Sequence, residues 1–161
     1  MSLKWDKRFI DMALHVGSWS KDPSTQVGAI LVRDQHIIAT GYNGFPKGIA
    51  DTDDRLNDRP TKYGLVVHAE LNSILAAAKF GIATGGSTLY VVARSVKTGK
   101  IWGGAPCLRC AVETIQSGVS SVVVPSPVDM EPSWVASCEA GKQVLHEAGV
   151  RYEEIDYRRG Y

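Results

Sequence analysis

Two short clusters of metal-ligating residue types constrain this chain most. His68-Ala69-Glu70 lies in "VVHAELNSIL" and Pro106-Cys107-Leu108-Arg109-Cys110 in "GGAPCLRCAVE". Each cluster stands where a helical stretch begins, so one shared site requires two helix N-termini to meet. Cys107 and Cys110 are three apart, which brings their thiols to one face of a helix start. A His/Cys/Cys set leaves a tetrahedral zinc one open position, as catalytic zinc sites do, whereas structural sites take a fourth protein ligand. Free N–H groups and the positive dipole end at both helix starts favour thiolates at Cys107 and Cys110. Glu70 is the acid tied to the cluster by sequence and left out of the ligand set, which suits it to carry protons.

Other readings of the same residues stay open on spacing alone. A Cys-x-x-Cys pair also serves as a redox dithiol or as two small buried hydrophobes, and a histidine at a helix start also serves as a cap. Cys138 completes a four-ligand site only if its helix reaches the same point. Its small and apolar neighbours in "SWVASCEAG" suit a core thiol. His15, His36 and His146 form no second cluster by spacing and read as surface or capping residues.

The rest of the chain reads as an α/β domain spanning residues 1–161, with about five strands and helices on both faces. Trp5, Phe9, Met12, Ala13 and Val16 recur at helical spacing over residues 4–18, and "SKDPST" then turns the chain. "QVGAILVRD" is apolar at both parities, as a strand covered on both faces is. "HIIATGYN" pairs with it through a turn at Asp34–Gln35 as an antiparallel hairpin. Residues 44–64 contain several glycines and prolines and a cluster of acids, and read as a long loop with at most a short helical turn. "VVHAELNSILAAAKFG" is the strongest helix, stopped at Gly81. "STLYVVA" is a strand. Pro106 suits the first position of a helix that buries Ala111, Ile115 and Val112 and ends at Gly118. "VSSVVVPS" is a strand, residues 134–148 a helix and "VRYEEIDY" a last strand.

Bulk properties exclude several classes. With 18 basic and 17 acidic side chains, the formal charge of +1 offers no strong attraction to duplex nucleic acid or anionic membrane, and no stable nucleic-acid partner is expected. No run of eighteen apolar residues exists, so no membrane span is expected. The start "MSLKWDKRFIDMAL" lacks the apolar run that export needs. Three cysteines make a poor disulfide framework, so a reducing, cytoplasmic setting is the expectation.

H-x-E followed by P-C-x-x-C is the signature of the zinc deaminases. On those five positions the chain resembles the cytidine and deoxycytidylate deaminase superfamily. It is most similar to the deoxycytidine monophosphate (dCMP) deaminase branch, through "DPSTQVGAILV", "IIATGYNGFPKGI", "RPTKYGLVVHAELNSIL", "GSTLYV" and "PCLRCAVETIQSGV". The resemblance implies a three-layer α/β/α fold with a mixed five-stranded sheet and a zinc (Zn2+) site at two helix ends. It implies hydrolysis of dCMP to dUMP and ammonia, with His68, Cys107 and Cys110 as ligands and Glu70 moving protons. The same chemistry on another base, a nucleoside or a tRNA adenosine is the alternative, and a non-catalytic zinc protein a more distant one. By the same resemblance the backbone at Ala69 meets the pyrimidine edge, Asn43 contacts sugar or base, and Gly44 lets the backbone approach closely. Lys47, Arg55, Arg59 and Lys62 are cationic candidates for the 5′-phosphate, with Ser24, Thr25 and Gln26 as neutral donors. A homo-oligomer, a hexamer being one size, and control by dCTP and dTTP are also implied. One departure stands out: "VARSVKTGKIWGGA" separates the "TLYV" strand from the "PC" motif by roughly ten residues more than the family pattern. It carries Arg94, Lys97, Lys100 and Trp102 and reads as a lid that adds phosphate or aromatic contacts, as a change of specificity toward another amine-bearing substrate, or as an idle hairpin with "KTGK" at its tip.

Overall fold

The computed structural model describes residues 2–128, 130 and 132–157. Helix α1 (Leu3–Gly17) precedes a hairpin of β1 (Thr25–Arg33) and β2 (His36–Tyr42). Two short helices follow, α2 (Asp53–Asn57) and α3 (Arg59–Leu65), then α4 (Ala69–Lys79) and β3 (Thr88–Ser95). The chain continues through β4 (Ile101–Trp102), α5 (Leu108–Gln116), β5 (Ser121–Pro125), α6 (Pro132–Glu147) and β6 (Arg151–Ile155). The sheet runs β2-β1-β3-β5-β6, and the small β4 pairs with β3 beyond the end of β5. Pairing is antiparallel from β2 to β3 and parallel from β3 to β6. The sheet is therefore mixed, as expected, with β4 as an addition.

Helices cover both faces, and each face has its own core. On one, Phe9, Ile10 and Ala13 of α1 pack on Ile30, Val32, Tyr90 and Val92. The buried Tyr90 hydroxyl donates to Asp6 Oδ1 at 2.6 Å and ties α1 to the central strand. On the other, Ala69 and Ala77 of α4, Ala111 of α5 and Leu145 of α6 meet Ala29, Leu31, Leu89 and Val122. Residues 29–32 are almost wholly buried, which is why β1 is apolar at both parities. The Asp34–Gln35 turn has φ of 51° and 64°, the left-handed pair that a two-residue hairpin turn requires.

Three expectations need correction. Residues 44–64 are not a loop throughout, because they carry α2 and α3. Helix α3 begins where the Asp58 carboxylate accepts from Thr61 N at 3.0 Å, with Pro60 in its first turn. Pro106 precedes α5 rather than opening it, and Cys107 is the cap. Val112 faces solvent, since burial on α5 falls to Cys110, Ala111 and Thr114.

Two glycines set how closely the site-bearing elements approach. A Cβ at Gly41 of β2 would stand 2.3 Å from Ala69 O and 2.4 Å from Ser73 N, so α4 lies directly on the β2 backbone. A Cβ at Gly141 of α6 would stand 2.0 Å from Pro106 O, at the approach to Cys107. Gly41→Ala is expected to lower unfolding stability by about 1–3 kcal/mol, the usual cost of overpacking, measured by urea titration. An unchanged midpoint would contradict this packing.

Candidate active site

Strands β3 and β5 are parallel, and each follows its own helix, so α4 and α5 begin at the same end of the sheet. Their caps are His68 and Cys107, which meet there together with Cys110 one turn into α5. His68 Nδ1 lies 3.5 Å from Cys107 Sγ and 3.4 Å from Cys110 Sγ. All three donor atoms fall within 4.8 Å of one another. Tetrahedral zinc with Zn–S of about 2.3 Å and Zn–N of about 2.05 Å sets N and S about 3.6 Å apart, so the donors fit that ion as they stand. The donor chemistry agrees. The Cys107 thiol is pushed well down, first by a hydrogen bond from Cys110 and further by His68. Cys110 is pushed up because it donates to Cys107 and is buried. His68 is raised to about 9, mainly by its bond to Cys107. The two cysteines thus share a hydrogen bond that favours the thiolate at Cys107 and the thiol at Cys110. A divalent cation takes the place of such protons when it binds.

Glu70 is 6% exposed, and burial raises its carboxyl pKa while His68 opposes the rise. It lines a cavity of about 610 Å³ together with His68, Ala69 and Cys107. That volume is of the size that takes small organic ligands. Asn43 also lines it and is buried, with its amide already in use. Oδ1 accepts from Val27 N at 2.8 Å and Nδ2 donates to Thr25 O at 2.9 Å. One N–H and one lone pair remain for a ligand. Gly44 is not in the lining; it bridges to Val67 next to His68, and a Cβ there would meet nothing closer than the Tyr42 ring at 3.8 Å. The structure gives no steric reason for glycine at that position.

The cationic candidates separate. Lys47 and Arg55 lie outside the lining, and Arg55 Nη1 donates to Ala50 O at 3.2 Å. Arg59 and Lys62 line the cavity from α3. Lys62 is buried and paired with Asp22, Nζ to Oδ2 at 3.3 Å. Sequence reasoning missed Asp22, which also accepts from Ser24 N and Thr25 N and so shapes the start of β1. "DPST" carries the Asp-Pro turn signal that could have exposed it. It also missed Trp134 of α6, which stands edge-on to His68 with ring centroids 5.9 Å apart and is brought in by tertiary packing alone. Lys97 and Trp102 of the added segment are part of the wall, as the lid reading of that segment expects. Cys138 lines the cavity as well but stands outside the three-donor group among the described residues; its thiol is pushed up to about 11 by burial.

Comparison with known proteins agrees with this geometry. Residues 3–126 match the model of the cytidine and deoxycytidylate deaminase zinc-binding region. An uncharacterized deaminase in the luxG 3′ region of Aliivibrio fischeri is 38% identical over 93% of this chain and 92% of its own length. The Homo sapiens deoxycytidylate deaminase is 36% identical over 95% of this chain and 80% of its own. Among solved structures, apo dCMP deaminase from the cyanophage S-TIM5 is similar at a TM-score of 0.69 and 25% identity, covering 96% of this chain and 100% of that one. The chain belongs to the cytidine and deoxycytidylate deaminase family, whose matching region is zinc-binding, and the His68/Cys107/Cys110 group is positioned to hold a metal ion.

No described helix is long and apolar enough to cross a membrane. Metal analysis after expression in zinc medium is expected to give about one zinc per chain for Cys138→Ala and a loss of most zinc for Cys110→Ala, in line with a three-ligand site. Loss of zinc in Cys138→Ala would show the ligand set to be wrong.

Proposed function

We propose that this protein hydrolyses dCMP to dUMP and ammonia. The observation that carries the proposal is the composition of one cavity: the zinc donors and a buried carboxylic acid at one end, and arginine and lysine side chains in the same wall. A cytosine ring and a phosphate need those two chemistries within one ligand's length. The relatives named for deoxycytidylate deaminase activity add support, the human enzyme among them.

Zinc held by His68, Cys107 and Cys110 supplies the Lewis acidity that makes water nucleophilic near neutral pH. The chain's own residues do the rest. Glu70 takes the proton from the water that attacks C4, passes it to ring N3, and later protonates the departing amine, so that water and dCMP leave as dUMP and ammonia. Burial suits it to that relay, because a carboxyl raised above its ordinary value gives up and regains a proton more evenly near neutrality. Asn43 fixes the sugar or base with the N–H and lone pair it has left, and the Ala69 backbone lies beside the ring. Trp134, already against His68, closes the ring's other side.

We also infer a homo-oligomer. Phe80 is 72% exposed and shares a shallow groove with Ile37 of the edge strand β2, apolar surface of the kind that subunit contacts cover.

Ammonia release by the zinc-loaded protein against deoxycytidine, dCMP, dCTP, CMP, guanine and adenosine tests the reaction. Turnover is expected to favour dCMP; preference for guanine or adenosine would overturn the substrate assignment. Glu70→Gln is expected to keep its zinc and lose about 100-fold or more in kcat, on the usual scale of a lost general acid–base group. Undiminished turnover in that variant would contradict its role.

A further inference from the structure

The extra segment between β3 and the "PC" motif folds as a hairpin, and it forms part of the cavity wall. Ser95, Lys97 and Thr98 lie in the lining, followed by Trp102 and Gly103. The hairpin is anchored: Ser95 N donates to Lys100 O at 2.9 Å, Gly99 N to Ser95 O at 2.9 Å, and Val96 N to Ser24 O at 3.0 Å. Gly99 takes the left-handed φ of 69° that ends the turn. The last of those bonds joins the hairpin to the Asp22–Thr25 turn, and Asp22 in turn holds Lys62 of α3. Hairpin, turn and α3 thus make one continuous rim.

The charges on this rim do not cancel. Lys62 is neutralised by Asp22 at 3.3 Å, both side chains being about one-tenth exposed. Arg59 and Lys97 also line the cavity. Arg59 donates to the Tyr63 hydroxyl at 3.0 Å, and neither Arg59 nor Lys97 forms an ion pair with a carboxylate among the described residues. The one other acid in the lining is Glu70, which belongs to the zinc end. Two cations without a carboxylate partner among the described residues therefore line the cavity, and Ser24, Ser95 and Thr98 add neutral hydroxyls to the same lining. A phosphate monoester carries a charge of about −1.5 to −2 at neutral pH and accepts through three terminal oxygens. Its charge matches that pair; a nucleoside brings no charge, and a triphosphate brings more than the pair can balance.

We propose that the β3–β4 hairpin is a substrate-binding element in which Lys97, acting with Arg59, holds the 5′-phosphate and selects a nucleoside monophosphate over the nucleoside. This deepens the dCMP reading and rests on it. It also moves the phosphate contact away from Lys47 and Arg55, which are outside the lining, and from Lys62, whose charge is already paired. Lys62 has a bracing role instead. With Asp22 it fixes α3 against the start of β1, so that Arg59 stands at the rim.

Calorimetric titration of the zinc-loaded protein with dUMP and with deoxyuridine tests this without depending on turnover. For Lys97→Gln the preference for dUMP over deoxyuridine is expected to fall about tenfold to a hundredfold, the range of one charge-assisted contact. Lys97→Arg is expected to retain most of it. Lys97 is exposed, so the variant's melting temperature should stay at the wild-type value, separating lost binding from lost folding. An unchanged preference in Lys97→Gln, or equal weakening of both ligands, would overturn the assignment. Turnover of dCMP by the wild type is read alongside. A protein that binds dUMP through Lys97 yet does not deaminate dCMP would support the hairpin's role and contradict the reaction.

Discussion

Everything in this molecule that bears on chemistry depends on two helix starts meeting at one end of the sheet. Helix α4 leads into β3 and α5 into β5, and these strands are parallel, so the two helices begin side by side. Their cap residues are two of the three metal-ligating side chains that meet there, His68 and Cys107, and the third, Cys110, sits one turn further along α5. The ligand geometry is thereby set by the core. Shifting α4 along the sheet would move His68 and Glu70 together, and shifting α5 would move both cysteines. The close backbone approaches at Gly41 and Gly141 hold those positions. Glu70 gains its buried environment from the same arrangement, since the helix that places the ligand also turns the acid inward.

The cavity joins two kinds of scaffold. Its zinc end is built on long helices packed against a nearly dry sheet, and its rim on short or extended pieces: the Asp22 turn, α3 and the β3–β4 hairpin. Chemistry that needs atoms held within a fraction of an ångström suits the first. Recognition of a flexible phosphate tolerates the second. The buried Asp22–Lys62 pair is the main ionic tie between α3 and the sheet. Removing one partner of such a pair leaves the other charge buried and costs more than the pair itself is worth.

How much of this is legible in the sequence follows from range of interaction. The meeting of His68, Cys107 and Cys110 beside a buried Glu70 can be read because each cluster is local, and helix starts announce themselves through residue type and spacing. The β1–β2 hairpin is legible for the same reason, down to the Asp34–Gln35 turn. Residues 44–64 read as loop because their glycines and prolines mask two short helices, one of them begun by Asp58. Val112 reads as buried because an apolar residue near a helix start fits either face, and the packing of α5 against α6 decides which is covered. Trp134 joins the site only through tertiary packing and no local pattern marks it, whereas Asp22 lies in an Asp-Pro turn and Lys97 in the added segment, both visible locally without their place in the wall being so. The hairpin is visible as an added segment; whether it is idle depends on where its tip lies, and the tip is in the cavity wall.

The most direct test of the whole account is a crystal structure of the zinc-loaded protein with dUMP bound. Zinc is expected on His68, Cys107 and Cys110, the pyrimidine ring beside Glu70, and the phosphate at the rim with Arg59 and Lys97. Zinc at other residues, or a nucleotide lying with its phosphate toward Glu70, would contradict it.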